Sequence, residues 1–167
     1  MSIEIREHLL DNGLRIVGEI DPHGASAAAG FFVRTGTRDE TATHMGISHF
    51  LEHMVFRGTG DLDGEAIDRA FEDLGASHNA WTSHEVTAYH AHALPESLPG
   101  VLDLLAQLMR PNLHDDDLHD ESGGEGMGDS RRQEHETQNN EKPPENMDAA
   151  EMLRLYTLQQ SDDDKLV

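Results

Sequence analysis

The chain has 167 residues, which is room for one ordinary domain, or for one domain and a tail. It carries 33 acidic residues against 12 basic ones, a formal net charge of -21, and this excess argues against binding to nucleic acid or to an anionic membrane surface. No apolar run approaches the ~18–20 residues of a membrane-spanning helix, and the N-terminus shows no secretory signal, so a cytoplasmic location is expected. Because the chain has no cysteine, a metal site must use His, Asp or Glu.

The negative charge is concentrated towards the C-terminus. Residues 113–167 have a net charge of -11, against -10 for the longer segment 1–112. Lysine occurs only at Lys142 and Lys165. Many acidic residues with few lysines favour solubility at high salt, where charge repulsion is screened, and this predicts a halophilic source. The alternative is simply an acidic tail.

The first part of the chain has the pattern of a folded α+β unit. Asn12-Gly13 lies between apolar stretches and predicts a β-hairpin, followed by a strand over Arg15–Ile20. After a turn at Asp21 to Gly24, the small and aromatic residues from Ala27 to Val33 predict a buried strand. Two further strands, predicted to pair with each other, cover residues 77–81 and 86–93.

Three segments have the apolar period of a helix. The first two cover Gly46 to Phe56 and Glu65 to Leu74. The third is opened by Pro95 and closed by Arg110-Pro111. Its predicted buried stripe consists of Leu98, Val101, Leu102, Leu105 and Leu108.

The composition changes near residue 119. From His119 to Asn146 the only apolar side chain, apart from the prolines, is Met127. Such a stretch cannot bury enough apolar surface to offset an ordering entropy of ~1–2 kcal/mol per residue. Residues 149–158 predict a short amphipathic helix. The predicted organisation is a partial domain over 1–118, a disordered acidic and Gly-rich segment over 119–147, and a short helix with a tail over 148–167.

The first predicted helix contains an HxxEH motif, His49-Phe50-Leu51-Glu52-His53. Residues four apart lie one turn above each other on a helix, so His49 and His53 can bind one Zn²⁺ at ~2.0–2.1 Å each. Glu52 can reach the same side and act as general base toward the attacking water. The alternative is a helix with two surface histidines and a solvated glutamate.

The residues around this motif resemble the N-terminal domain of the M16 peptidases, the family of pitrilysin, insulysin and mitochondrial processing peptidase. The resemblance extends from Leu10 to about Pro111. The segments that carry it are Asp11 to Val17, Gly30 to Glu40, Gly46 to Thr59 and Asn79 to Tyr89.

This resemblance implies a zinc-dependent endopeptidase in which His49 and His53 are metal ligands and Glu52 is the base. It implies an antiparallel sheet with helices packed on one face. It also implies an unfolded peptide as substrate, and a second M16-like domain or subunit that closes around it. Asn79 and the strand over 79–83 are expected near the metal or the substrate; the alternative for Asn79 is a turn or edge residue.

The third metal ligand is not identified. A catalytic zinc site needs three protein ligands, and in the family pattern the third is a glutamate on a later helix. Here that window is Gly128 to Ser130, and the resemblance is lost after Glu121, which matches an upstream glutamate of the pattern. Glu121, Glu125 and Asp129 are the candidate substitutes.

If no third ligand exists, the chain is an inactive or truncated homologue, acting as an interaction subunit or remnant, whose tail is a natural divergence or a frame-shifted end. A third reading is an α+β binding domain with a chance motif.

His90 and His92 alternate with Tyr89 and Ala91 on a predicted strand and therefore share one face of it. This pattern is compatible with a second metal site or with an ordinary polar sheet face.

Overall fold

The computed structural model describes residues 3–113. The predicted segments 119–147 and 148–167 lie outside the described residues. The seven strands of the described part are β1 (Glu4–Leu9), β2 (Arg15–Ile20), β3 (Ala27–Val33), β4 (Gly58–Thr59), β5 (Leu62–Asp63), β6 (Ser77–Thr82) and β7 (Thr87–Ala93). Its three α-helices are α1 (Ile47–Val55), α2 (Gly64–Asp73) and α3 (Leu98–Leu108).

The central sheet is antiparallel and has the strand order β3-β7-β6. Its register places Gly30 opposite His90 on one side of β7, and Asn79 opposite His90 on the other side. The predicted strands and their pairing are therefore confirmed. Among residues 3–113, no helix has the length and apolar character needed to cross a membrane.

The hydrophobic core lies between one face of this sheet and the three helices. Its most deeply buried side chains include Met54 and Val55 from α1, Ile67 and Phe71 from α2, and Leu105 and Leu108 from α3. The sheet contributes Val33, Tyr89, Ala91 and Ala93. The predicted α+β class, with helices packed on one face of an antiparallel sheet, is confirmed.

Two predictions about burial were wrong. The strand Ala27–Val33 was expected to be buried, but β3 pairs only with β7 among the described strands, and Val33 is its single buried residue. Leu102 was expected in the buried stripe of the third helix, but 42 % of its surface is exposed.

This helix begins at Leu98 after a short 3-10 helix at Pro95–Ser97, because Pro99 has no backbone N–H and is tolerated only in the first turn.

Strands β1 and β2 form a separate two-stranded hairpin. Its turn uses Gly13 at φ +88°, a left-handed conformation that glycine adopts without steric cost. Apolar side chains on both strands remain open to solvent, including Ile5, Leu9 and Val17. An isolated hairpin of this kind is only marginally stable in water, so packing of the remaining elements does most to stabilise the described fold.

The loop before α1 lies against the turn that joins β6 to β7. The backbone N–H of Thr37 donates to the Ser83 carbonyl at 3.1 Å, and that of Arg38 donates to the His84 carbonyl at 3.1 Å. Gly36 allows this approach, because a Cβ atom there would lie 2.3 Å from the Ser83 carbonyl oxygen. Glycine at position 36 therefore allows the loop to pack directly against the β6–β7 turn.

We expect Gly36→Ala to lower the free energy of unfolding by about 1–3 kcal/mol, because the loop must move away from the turn. Gly18→Ala is the matched control, since a Cβ atom at Gly18 meets nothing within 4 Å. Urea denaturation of both variants checks this expectation. Equal stability of the two variants would contradict it.

Candidate metal centre

Helix α1 places the three polar residues of the HxxEH motif together at the edge of the core. The Nε2 atoms of His49 and His53 are 3.3 Å apart. With one carboxylate oxygen of Glu52, the three potential ligand atoms lie within 4.8 Å of one another. In the range 3–113 this is the single cluster of three or more His, Cys, Asp or Glu side chains with that proximity.

The apolar positions of α1 explain why the histidines point outward. Ile47, Phe50, Leu51, Met54 and Val55 are all buried, as the helical period of the sequence predicts. His49 is exposed, and His53 lies on the same side one turn later. The helix thus buries one face and presents two imidazole rings, with centroids 4.5 Å apart, on the other.

Glu52 has a different environment from the two histidines. Only 8 % of its surface is exposed. The Thr82 hydroxyl on β6 donates a hydrogen bond of 2.5 Å to Glu52 Oε2. This contact joins α1 to the central sheet and restricts the orientation of the carboxylate.

Glu40 fixes the start of the same helix. Its two carboxylate oxygens accept hydrogen bonds from the backbone N–H groups of Gly46, at 2.8 Å, and Ser48, at 3.0 Å. Gly46 precedes the helix with φ +86°, in the left-handed region. A carboxylate at a helix N-terminus satisfies free N–H groups and interacts favourably with the helix dipole.

Sequence reasoning missed both Glu40 and Thr82 as supporting residues. Glu40 lies six residues before Gly46, the residue that precedes the helix, which is outside the spacing of an ordinary N-cap. Thr82 could have been found from strand alternation, because it shares a face of β6 with the core-facing Ala80.

Asn79 does not join the metal centre. Alternation along β6 places it on the face opposite to Thr82, where it is exposed. Its side-chain oxygen accepts a hydrogen bond of 2.8 Å from the Ala80 backbone N–H. Thr82 is the residue of this strand that contacts Glu52, whereas Asn79 is an exposed residue of β6 whose expected place near the substrate stays a prediction.

The candidate third ligands Glu121, Glu125 and Asp129 lie outside the described residues. His90 and His92 lie on the face of β7 opposite to the core and are not part of the centre. Burial, and secondly the neighbouring His92, hold the pKa of His90 below its usual value of 6.5.

Residues 15–161 match one family, described as insulinase (peptidase family M16). The chain belongs to peptidase family M16. The resemblance seen in the residues around His49 is therefore confirmed, and the M16 match also includes the segment that holds Glu121, Glu125 and Asp129.

Several M16 relatives align with the first two-thirds of the chain. The beta subunit of mitochondrial-processing peptidase from Saccharomyces cerevisiae is 38% identical over 110 residues, which cover 66% of this chain and 24% of that protein. The Bacillus subtilis protein named uncharacterized zinc protease YmxG is 43% identical over 104 residues, which cover 62% of this chain and 25% of that protein. Cytochrome b-c1 complex subunit 1 of Mus musculus is 39% identical over 107 residues, which cover 64% of this chain and 22% of that protein.

The fold is also shared with solved structures. A protease from Helicobacter pylori superposes with a TM-score of 0.68 at 28% identity, over 73% of this chain and 30% of that protein. The chain spans about a quarter of the length of the three sequence relatives.

We expect Thr82→Val to lower the free energy of unfolding by about 1–3 kcal/mol, because it removes a donor from the buried Glu52 carboxylate while keeping the side-chain shape. Thr82→Ser keeps the hydroxyl and is the matched control. Urea denaturation of the two variants measures the difference. A valine variant as stable as the serine variant would show that the hydrogen bond contributes nothing.

The His90 imidazole should titrate below pH 6.5 in NMR spectra recorded with a chelator present. His92→Ala should raise this midpoint only in part, because burial is the larger cause. Since the folded pKa lies below the unfolded value, His90 makes the chain less stable as the pH falls below 6.5. A midpoint at or above 6.5 would contradict the assignment.

Proposed function

We propose that this chain is the HxxEH-bearing part of a zinc-dependent M16 endopeptidase. His49 and His53 hold the zinc ion, and Glu52 is the general base of peptide-bond hydrolysis. The proposal is supported by membership of the M16 family and by the grouping of these three side chains on α1.

The observation that carries the proposal is the separation of the two histidine nitrogens. Ligand atoms that are each ~2.0–2.1 Å from one tetrahedral zinc ion lie roughly 3.3–3.4 Å from each other. The Nε2 atoms of His49 and His53 are 3.3 Å apart. The two side chains therefore fit a shared zinc ion without rearrangement of the helix.

The chemistry divides between the ion and the protein. Zinc, when bound, supplies Lewis-acid chemistry that lowers the pKa of water and polarises a carbonyl group. Glu52 accepts the proton of the attacking water and can return it to the leaving amine. The Thr82 hydroxyl holds one oxygen of that carboxylate, so it orients the base without touching the substrate.

We propose an unfolded peptide as the substrate, in line with relatives named as peptidases and proteases. Strand β6 is an edge strand among the described strands and carries Thr82, so its free edge lies beside the metal helix. An extended peptide can pair with such an edge through backbone hydrogen bonds. A second M16-like domain or subunit is proposed as the partner that encloses the peptide, because this chain spans about a quarter of its relatives.

A second candidate function is a non-catalytic M16 subunit. It is favoured by the ligand count, because His49 and His53 are the two histidine ligands that residues 3–113 provide, and a catalytic zinc site needs three protein ligands. One of the relatives is named as a subunit of the cytochrome b-c1 complex. The two candidates differ in whether Glu121, Glu125 or Asp129 completes the site.

The double variant His49→Ala, His53→Ala should lower zinc affinity more than about 100-fold, because both proposed ligands are lost. The double variant His8→Ala, His23→Ala removes two exposed histidines of the N-terminal strands and turn and is the matched control. Zinc content and competition with a chromophoric chelator measure the affinity of the full chain. Equal affinity in both double variants would overturn the proposed site.

Glu52→Gln should leave zinc binding intact and reduce peptide hydrolysis by about 10²–10⁴-fold, the usual contribution of a general base. The measurement requires a preparation that cleaves a peptide in a chelator-sensitive manner, from the full chain alone or with an added M16 partner. Unchanged hydrolysis in the glutamine variant would exclude Glu52 as the base. Tight zinc binding without hydrolysis in either preparation would favour the non-catalytic subunit.

A further inference from the structure

The outer face of the central sheet, opposite to the helices, is formed by alternate residues of β3, β7 and β6. It consists of Ala28, Gly30 and Phe32, then Ala88, His90 and His92, then Ser77, Asn79 and Trp81. We propose that His90 and His92 form a second binding site for a divalent transition-metal ion on this outer face. The site is independent of the centre on α1, because it lies on the other side of the sheet.

The geometry of the two rings supports a shared ion. His90 and His92 point to the same side of β7, and their ring centroids are 5.5 Å apart at an interplanar angle of 79°. Two imidazoles bound to one tetrahedral ion, each with a metal–nitrogen distance of ~2.0–2.1 Å, have ring centroids roughly 5 Å apart. The observed separation therefore requires only a small rotation of the exposed His92 side chain.

The neighbouring strands leave room for the His90 ring. Its partner on β3 is Gly30, where a Cβ atom would lie 3.1 Å from the Cβ atom of His90. A larger residue at position 30 would push against the base of the histidine side chain. On the other side, Asn79 is opposite His90 and Ser77 is opposite His92, so the flanking β6 positions carry polar side chains.

The electrostatic surroundings favour a cation. The nine residues on the outer face of these three strands include no lysine and no arginine. The segment 1–112 has a net charge of -10, which raises the local concentration of cations near the surface. The two rings lie on one face of β7 at a separation close to that of two ligands of one ion.

The donor set defines the class of ion. Imidazole nitrogens suit Zn²⁺, Cu²⁺ and Ni²⁺, whereas Mg²⁺ and Ca²⁺ prefer oxygen ligands. Two protein ligands leave the remaining coordination positions to water or to an external donor. We therefore expect a weaker and more readily exchanging site than one closed by four protein ligands.

Zinc titration of the full chain, in a His49→Ala, His53→Ala background, tests the site without interference from α1. Histidine ring NMR signals, assigned by single substitutions, are followed as Zn²⁺ is added. The signals of His90 and His92 should shift together with one saturable constant, and those of His8 and His23 should not follow it.

Loss of either ligand should remove the chelate. His92→Ala should lower the affinity of this site at least tenfold, and His90→Ala should do the same. His23→Ala is the matched control and should leave the affinity unchanged. Because His92 is exposed, its substitution should preserve the amide spectrum of the folded chain, so the test does not depend on the partly buried His90.

Two results would overturn the proposal. One is that the His90 and His92 signals stay in place while zinc saturates other histidines. The other is that His92→Ala binds zinc as tightly as His23→Ala. Neither result bears on the centre at His49 and His53, which is absent from this background.

Discussion

The hydrogen bond from Thr82 to Glu52 is the contact on which the arrangement of the candidate metal centre depends. A carboxylate that is 8 % exposed is costly to bury unless a donor satisfies it. The Thr82 hydroxyl supplies that donor from the central sheet. The same contact joins α1 to the edge strand β6, and so it couples the orientation of the Glu52 carboxylate to the position of the strand.

A second set of contacts fixes the start of the metal helix. Gly36 brings the loop before α1 against the turn between β6 and β7. A few residues later, the Glu40 carboxylate accepts the first N–H groups of α1. The β6–β7 hairpin is thus connected to α1 at two places, through Thr82 to Glu52 and through Ser83 and His84 to the loop before the helix. The separation of the His49 and His53 imidazoles is set by their spacing on α1. That helix is held at its start by Glu40 and along its length by the contact of Glu52 with Thr82.

The two faces of the central sheet have different roles. The inner face packs against α1, α2 and α3 and carries Thr82. The outer face combines exposed Phe32 and Trp81 with the histidine pair of β7. Apolar side chains are exposed both on this outer face and on the β1–β2 hairpin.

The sequence alone determined the elements and the motif. Turn residues and residue composition predicted β2 and β3 with their observed bounds, and the helical period predicted the helix that carries His49, Glu52 and His53 to within one residue at each end. These signals are local, because side-chain period and turn residues depend on neighbours only a few positions away. The spacing of His49 and His53 placed both on one helix face for the same reason, and the residues around them indicated the M16 family.

The tertiary structure alone decided which distant residues support that motif. Thr82 is 30 positions from Glu52, and the contact exists because β6 packs on α1. Asn79, three residues earlier on the same strand, points to the opposite face. Strand alternation predicts that the two residues lie on different faces, but it does not tell which face packs on the core. The exposure of Leu102 and the edge position of β3 likewise depend on which elements are neighbours in space. Local pattern therefore specified the helix that carries the HxxEH motif, whereas the groups that orient its carboxylate were set by packing between elements far apart in the chain.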